Sequence, residues 1–223
     1  MKIQEYADRD MLAIDVANVL AGEIEAALLH DEKIALAVPG GTTPGPVFDS
    51  LCAADLEWDR VRVLPTDERC VPSEDDRSNE KLIRQRLLTN RASVAEYVPL
   101  YVPGRAPEAA LAEVETLIAP VLPLSVLVLG MGEDMHTASL FPGMEGLDAA
   151  LDSNAPTLAV ARTEVQPEPR ITLTAPVLDG ALSKHLIIFG AAKRDALDRA
   201  MSLPPEEAPI AAVLSGMTVH WAE

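Results

Sequence analysis

The chain predicts an α/β fold: a doubly wound, mostly parallel sheet with helices on both faces, Rossmann-like in plan. Short aliphatic runs of strand length alternate with stretches of helical periodicity, the pattern of parallel strands joined by crossover helices. Hydrophobic residues fill 48% of the 223 positions while aromatics reach only 4%, so the core is aliphatic, as buried parallel strands tend to be. Polar segments rich in glycine follow the aliphatic runs directly, where open α/β sheets build their ligand crevices. A chain of this length buries roughly 70% of its unfolded surface without disulfides or metals, and one domain spanning 1–223 is expected.

Along the chain, residues 7–29 set Met11, Ile14, Val19, Leu20, Ile24 and Leu28 at helical spacing, and Ile34–Val38 is the first strand. Residues 61–64, 126–129 and 186–189 have the length and β-branched content of further buried strands. Helices are expected over 44–52, 79–88, 107–119 and 191–202, each after a Gly, Pro or Ser. Segments 158–161, 171–174 and 218–221 are expected to extend the sheet at one edge, with mixed direction. Residues 65–79 form a long polar excursion with neither pattern, and long ordered loops are often functional.

A net charge of -17 repels nucleic-acid backbones and anionic lipid, so neither nucleic acid nor membrane is an expected partner. No signal pattern or long apolar run is present, which predicts a cytoplasmic protein. Cys52 and Cys70, set against His30, His136, His185 and His220, lack the spacing of a zinc site. No metal is expected.

Four polar segments, 39–44, 66–69, 130–136 and 190–194, each follow a predicted strand, so in a parallel sheet they converge at one edge. In the first, Gly40, Gly41, Thr42 and Thr43 lead into Pro44, a strand-to-helix turn suited to a small anion; the plain alternative is glycines serving turn geometry alone. Asp67, Glu68 and Arg69 could transfer protons, orient a histidine, or bind substrate hydroxyls and developing charge, or form an ordinary solvated turn. His136 can move protons near neutral pH, and Asp134 could orient it. A dinucleotide fingerprint starting at Gly130 fails at Met135, where the third glycine belongs. Arg170, Lys193 and Arg194 are candidate phosphate ligands in a chain this acidic.

Together, Gly40-Gly41-Thr42-Thr43-Pro44, Asp67-Glu68-Arg69-Cys70-Val71-Pro72 with Ser78-Asn79, the stretch 130–143, and Arg170-Ile171-Thr172-Leu173-Thr174 resemble the 6-phosphogluconolactonase family. The resemblance implies hydrolysis of 6-phospho-D-glucono-1,5-lactone to 6-phosphogluconate without metal or organic cofactor; a monomer is expected. It implies His136 as the proton shuttle, Asp134 or Asp67 poising the imidazole, Arg69 or backbone amides at the oxyanion, and the phosphate on 41–43, Arg170 and Lys193. Family members usually have glycine where Met135 stands, which raises the question of the backbone conformation there. Two rivals remain. A glucosamine-6-phosphate deaminase or sugar-phosphate isomerase would use Asp67 as a carbon base, and a non-catalytic sugar-phosphate sensor would need a DNA-binding segment for which the first helix leaves no room.

Overall fold

The computed structural model describes residues 1–164 and 167–223. The chain opens with β1 (Lys2–Glu5) and the long α1 (Arg9–Leu28), whose first turn is capped by the Asp8 carboxylate on the Met11 amide. Next come β2 (Ile34–Val38), α2 (Gly45–Leu51), β3 (Val61–Pro65), the short β4 (Asp67–Arg69), α3 (Asn79–Arg86) and β5 (Glu96–Tyr97). The second half holds α4 (Pro107–Ile118), β6 (Val126–Leu129), α5 (Leu147–Leu151), β7 (Leu158–Ala161), β8 (Arg170–Leu173), α6 (Ala175–Asp179), β9 (Ser183–Phe189), α7 (Ala191–Ala200) and β10 (Thr218–Ala222).

Seven strands form one sheet in the order β1-β10-β9-β6-β2-β3-β5, and every pairing in it is parallel. Side-chain alternation divides the interior into two cores. Ile34, Leu36 and Val38 of β2 pack toward α1, α2 and α3, whereas Ala35 and Ala37 face the layer that holds α4, α6 and α7. Helices therefore cover both faces, and both faces of each central strand are apolar, the reason these strands read as unbroken aliphatic runs. β2 is the turning point: β3 and β5 build outward on one side, β6, β9, β10 and β1 on the other. In such sheets the crevice opens where the order reverses, outside the carboxyl ends of the strands.

The expected sheet edge differs. β10 does join the main sheet but lies second from its edge, in parallel, covered by β1. β7 and β8 leave it altogether and pair antiparallel with β4 in a separate three-stranded sheet, order β4-β8-β7. The excursion at 65–79 thus contains a strand, too short for alternation to register. Glu68 of that strand points away from solvent and accepts the backbone N–H groups of Arg69, Asn79 and Glu80 as well as the Ser78 hydroxyl, so it satisfies the start of α3. Burial pushes its carboxyl up, against the pull of those donors.

β9 begins three residues earlier than its apolar run, at Ser183, because Lys184 and His185 are polar yet buried. His185 belongs to a hydrogen-bonded line across the sheet: Tyr6 hydroxyl to His220 Nδ1 at 2.8 Å, His220 Nε2 to His185 Nδ1 at 3.0 Å, and His185 Nε2 to Glu23 at 2.7 Å. One proton per imidazole satisfies every link. Burial, then the neighbouring imidazole, pushes His220 down to about 4, and Glu23 is held below the usual carboxylate range by His185 and Ser183 against its own burial. Both shifts act in one direction. The unfolded chain binds more protons than the folded one below the ordinary histidine range, so stability is complete above about pH 6.5 and falls as pH drops toward 4. The unfolding free energy from urea titrations across that window should fall by up to about 1.4 kcal/mol per pH unit for the one imidazole, with a shallower slope in His220→Asn.

Candidate active site

The carboxyl ends of β2, β3, β6 and β9 converge on a cavity of about 260 Å³, room for one small molecule. Its wall combines residues 39–44 after β2, Asp67 and Arg69 of β4, Gly130, Met131, Gly132, His136 and Ala138 after β6, Arg170 of β8 and Lys193 of α7. Each of the four polar segments thus supplies a wall. Among the described residues no group of three or more His, Cys, Asp or Glu is arranged to hold a metal ion.

His136 stands against the Phe141 ring at 4.4 Å between centroids, and its Nδ1 lies 2.5 Å from Asp134 Oδ1, which also accepts the His136 backbone N–H at 3.2 Å. With Nδ1–H donated to Asp134, Nε2 is the nitrogen left to accept a proton. The histidine contact holds Asp134 below the usual carboxylate range, so the carboxylate stays charged beside the imidazole. Asp134 is half exposed and does not line the cavity; its contact there is with His136. The pair folds back over Gly132, where an added Cβ would lie 2.3 Å from both Asp134 Oδ1 and His136 Nδ1. Only a residue without a side chain leaves that space.

Met135 has φ +66 and Ala138 φ +48, so the backbone is left-handed on both sides of His136. A glycine would take the first position without strain, and methionine takes it at a cost of about 1–2 kcal/mol. The Met135 side chain packs half-buried on the core and does not narrow the cavity. Its carbonyl accepts the Ile210 N–H at 3.1 Å, while Gly132 N–H reaches the His136 carbonyl at 3.0 Å. These bonds fix the turn.

Asp67 is buried and lines the cavity, yet it does not orient His136. Its Oδ2 accepts the Ser139 hydroxyl at 2.6 Å, its Oδ1 the Thr66 hydroxyl at 3.2 Å, and Arg170 Nη1 stands 3.9 Å from Oδ2. Arg69 gives Nη1 to the Arg77 carbonyl, and its buried Nε has no hydrogen-bond partner among the described residues. Arg170 stacks over Phe141 at 5.3 Å. Burial pulls both Arg170 and Lys193 down from their ordinary values, with the Arg69 charge adding to the effect on Arg170. Arg194 is a different case: it pairs with Glu5 at 3.0 Å and Asp198 at 3.4 Å and stays outside the cavity.

Asn79 was not among the expected site residues and lines the wall. As the first residue of α3 it donates Nδ2 to the Asp67 carbonyl at 2.7 Å, and a Cβ on Gly40 would lie 1.9 Å from its Oδ1. The contact joins α3 to the loop after β2, a tertiary pairing that no local pattern announces. Its sequence traces are its place in the Ser78-Asn79 pair that helps carry the family resemblance, and Ser78 itself, whose side chain caps the helix.

A family model for glucosamine-6-phosphate isomerases/6-phosphogluconolactonase matches residues 7–221. The chain belongs to this family. A 6-phosphogluconolactonase of Rhizobium meliloti is 40% identical over 97% of each chain, and one of Caulobacter vibrioides is 35% identical over 100% of this chain and 98% of its own. The crystal structure of a 6-phosphogluconolactonase from Shewanella baltica matches with a TM-score of 0.96 at 30% identity, covering 100% of this chain and 98% of the other. Within this family frame the methionine inside the histidine turn can be tested directly. Met135→Val, β-branched in a left-handed turn, should lower stability by about 1–2 kcal/mol. Met135→Gly should stay within about 1 kcal/mol of the parent, since relief of strain opposes lost packing and a freer unfolded chain. Denaturant midpoints check both.

Proposed function

We propose that this chain hydrolyses 6-phospho-D-glucono-1,5-lactone to 6-phosphogluconate, with His136 as general base and then general acid. The observation that carries the reading is the Asp134–His136 pair at 2.5 Å on the wall of a cavity that also holds three cationic side chains, Arg69, Arg170 and Lys193, in a chain of net charge -17. Those cations suit a doubly charged phosphate and a carbonyl oxygen that gains charge. His136 Nε2 takes a proton from water as the water oxygen bonds to the lactone carbonyl carbon. The oxyanion that forms is assigned to the Arg69 guanidinium on the wall, and each good donor there is worth about 3 kcal/mol. As the tetrahedral species collapses, the bond to the ring oxygen breaks and that oxygen takes the proton back from the imidazolium. The carboxylic acid product then ionises. Asp134, charged beside the ring, stabilises the imidazolium between the two transfers.

The phosphate is assigned to Lys193, Arg170 and the backbone of 41–43, the loop between β2 and α2. The reading is completed by action as a monomer in the cytoplasm, where an acidic chain of net charge -17 stays dispersed; no helix among the described residues is long and apolar enough to cross a membrane.

Lactone hydrolysis followed by proton release, always against the uncatalysed rate, tests the reaction. His136→Ala should lose about 10²- to 10⁴-fold in kcat with little change in KM. The family description also covers isomerases, so glucosamine 6-phosphate belongs in the same assay: ammonia release with no lactone hydrolysis would reverse the assignment. For the phosphate, Lys193→Ala should raise KM and weaken 6-phosphogluconate binding by about tenfold or more, the loss of one charge-assisted hydrogen bond, and calorimetry with the product reads it.

A further inference from the structure

We infer that Asp67 binds a ring hydroxyl of the substrate and that Ser139, which no substrate reaches, is the positioning residue that aims it. The inference rests on the lactonase reading and goes beyond it, because the proton transfers above leave Asp67 without a task. Three observations define its place. The carboxylate lines the cavity but has no contact with the Asp134–His136 pair, so it does not poise the imidazole. It is held by donors that leave acceptor capacity: a carboxylate offers about four acceptor sites, and the Ser139 and Thr66 hydroxyls occupy one on each oxygen. Arg170 sets its guanidinium 3.9 Å from Oδ2, so a positive charge stands beside the carboxylate. A fixed anion at the wall of a polar cavity accepts hydroxyl donors and repels phosphate, so it also sets which end of the ligand lies beside β4.

Ser139 makes the orientation unique. It is fully buried, its amide donates to the Thr172 hydroxyl at 3.1 Å, and its own hydroxyl reaches Asp67 across to β4 at 2.6 Å. It lies three residues after His136, beyond the left-handed Ala138. One turn therefore presents the proton shuttle to the cavity and, from its far end, braces the carboxylate opposite. Ring position and attack geometry are set by the same segment.

The test is a comparison across substrates. Wild type, Ser139→Ala and Asp67→Asn are assayed on the parent lactone and on its 2-deoxy, 3-deoxy and 4-deoxy forms, with melting curves to verify folding. On the parent, Ser139→Ala should lower kcat/KM roughly ten- to hundredfold, the range for a hydrogen bond to a charged group. On the one deoxy lactone that lacks the bound hydroxyl, wild type should already be slow and Ser139→Ala should cost no more than about threefold further, because coupled partners do not lose the same interaction twice. A penalty equal on all four lactones, or none on the parent, would overturn the inference and leave Ser139 a packing residue. Should Ser139→Ala fail to fold, Asp67→Asn on the same series reads the same coupling. Failure of the wild type to exceed the uncatalysed rate on any lactone would instead remove the lactonase reading, and the inference with it.

Discussion

The placement of every functional group here depends on one constraint: β2 and β6 are neighbours in a parallel sheet, yet the chain builds away from them in opposite directions. Crossover helices cannot fill the space above both strand ends, so the loops that follow Val38 and Leu129 are left facing one another across a crevice. β3 and β9, one step further out on either side, add their own loops to the rim. The cavity is therefore a product of topology before it is a product of side chains. What the side chains decide is its chemistry, and they do so through a few close contacts in which glycine is required because another group occupies the Cβ position, Gly132 beneath the Asp134–His136 pair and Gly40 beneath Asn79.

Charge gives the crevice its direction. With -17 distributed over the chain, an approaching phosphosugar meets a repulsive surface at long range, screened beyond about 8 Å at physiological salt. Inside, Arg69, Arg170 and Lys193 reverse the sign locally. Burial lowers Arg170 and Lys193 from their ordinary values, a cost that an anion placed between them would offset. Asp67 is the exception among the wall residues, a carboxylate set beside Arg170 and braced by the Ser139 and Thr66 hydroxyls.

The fold was legible because its strands are buried on both faces. Ile34–Val38 and Val126–Leu129 are uninterrupted aliphatic runs, and the helices between them keep a clear period. Legibility failed where burial and polarity coincide or where an element is too short to show a period. Lys184 and His185 hid the start of β9: the lysine is buried against Asp179 at the end of α6, five positions back, and the histidine's partners, Glu23 and His220, are distant in sequence. β4 has three residues and pairs with β8 about a hundred positions later, so the small antiparallel sheet had no local signature and its members looked like an edge of the large one. At the site, most of the residues that line the cavity could be read from their types and their position after strands. The division of labour between Asp134 and Asp67 could not, because both are carboxylates at plausible distance along the chain and only the fold brings one of them to 2.5 Å from the imidazole.

Met135 shows how the histidine turn keeps its shape under strain. Two non-glycine residues in the left-handed region, Met135 and Ala138, together cost about 2–4 kcal/mol. The turn is tied down by the hydrogen bonds from Gly132 to His136, from Met135 to Gly132, from Ile210 to Met135 and from the Thr137 hydroxyl to Gly130, at about 1 kcal/mol each. The two sums are close, so the turn holds without a glycine at its centre while the Met135 side chain packs on the core. Strain of this kind persists only where surrounding contacts over-determine the conformation. Two of those contacts close the turn on itself, one ties Thr137 to Gly130 directly after β6 and one comes from Ile210 in the segment at 209–213, so the position of His136 is anchored to the end of the strand that lies beside β2.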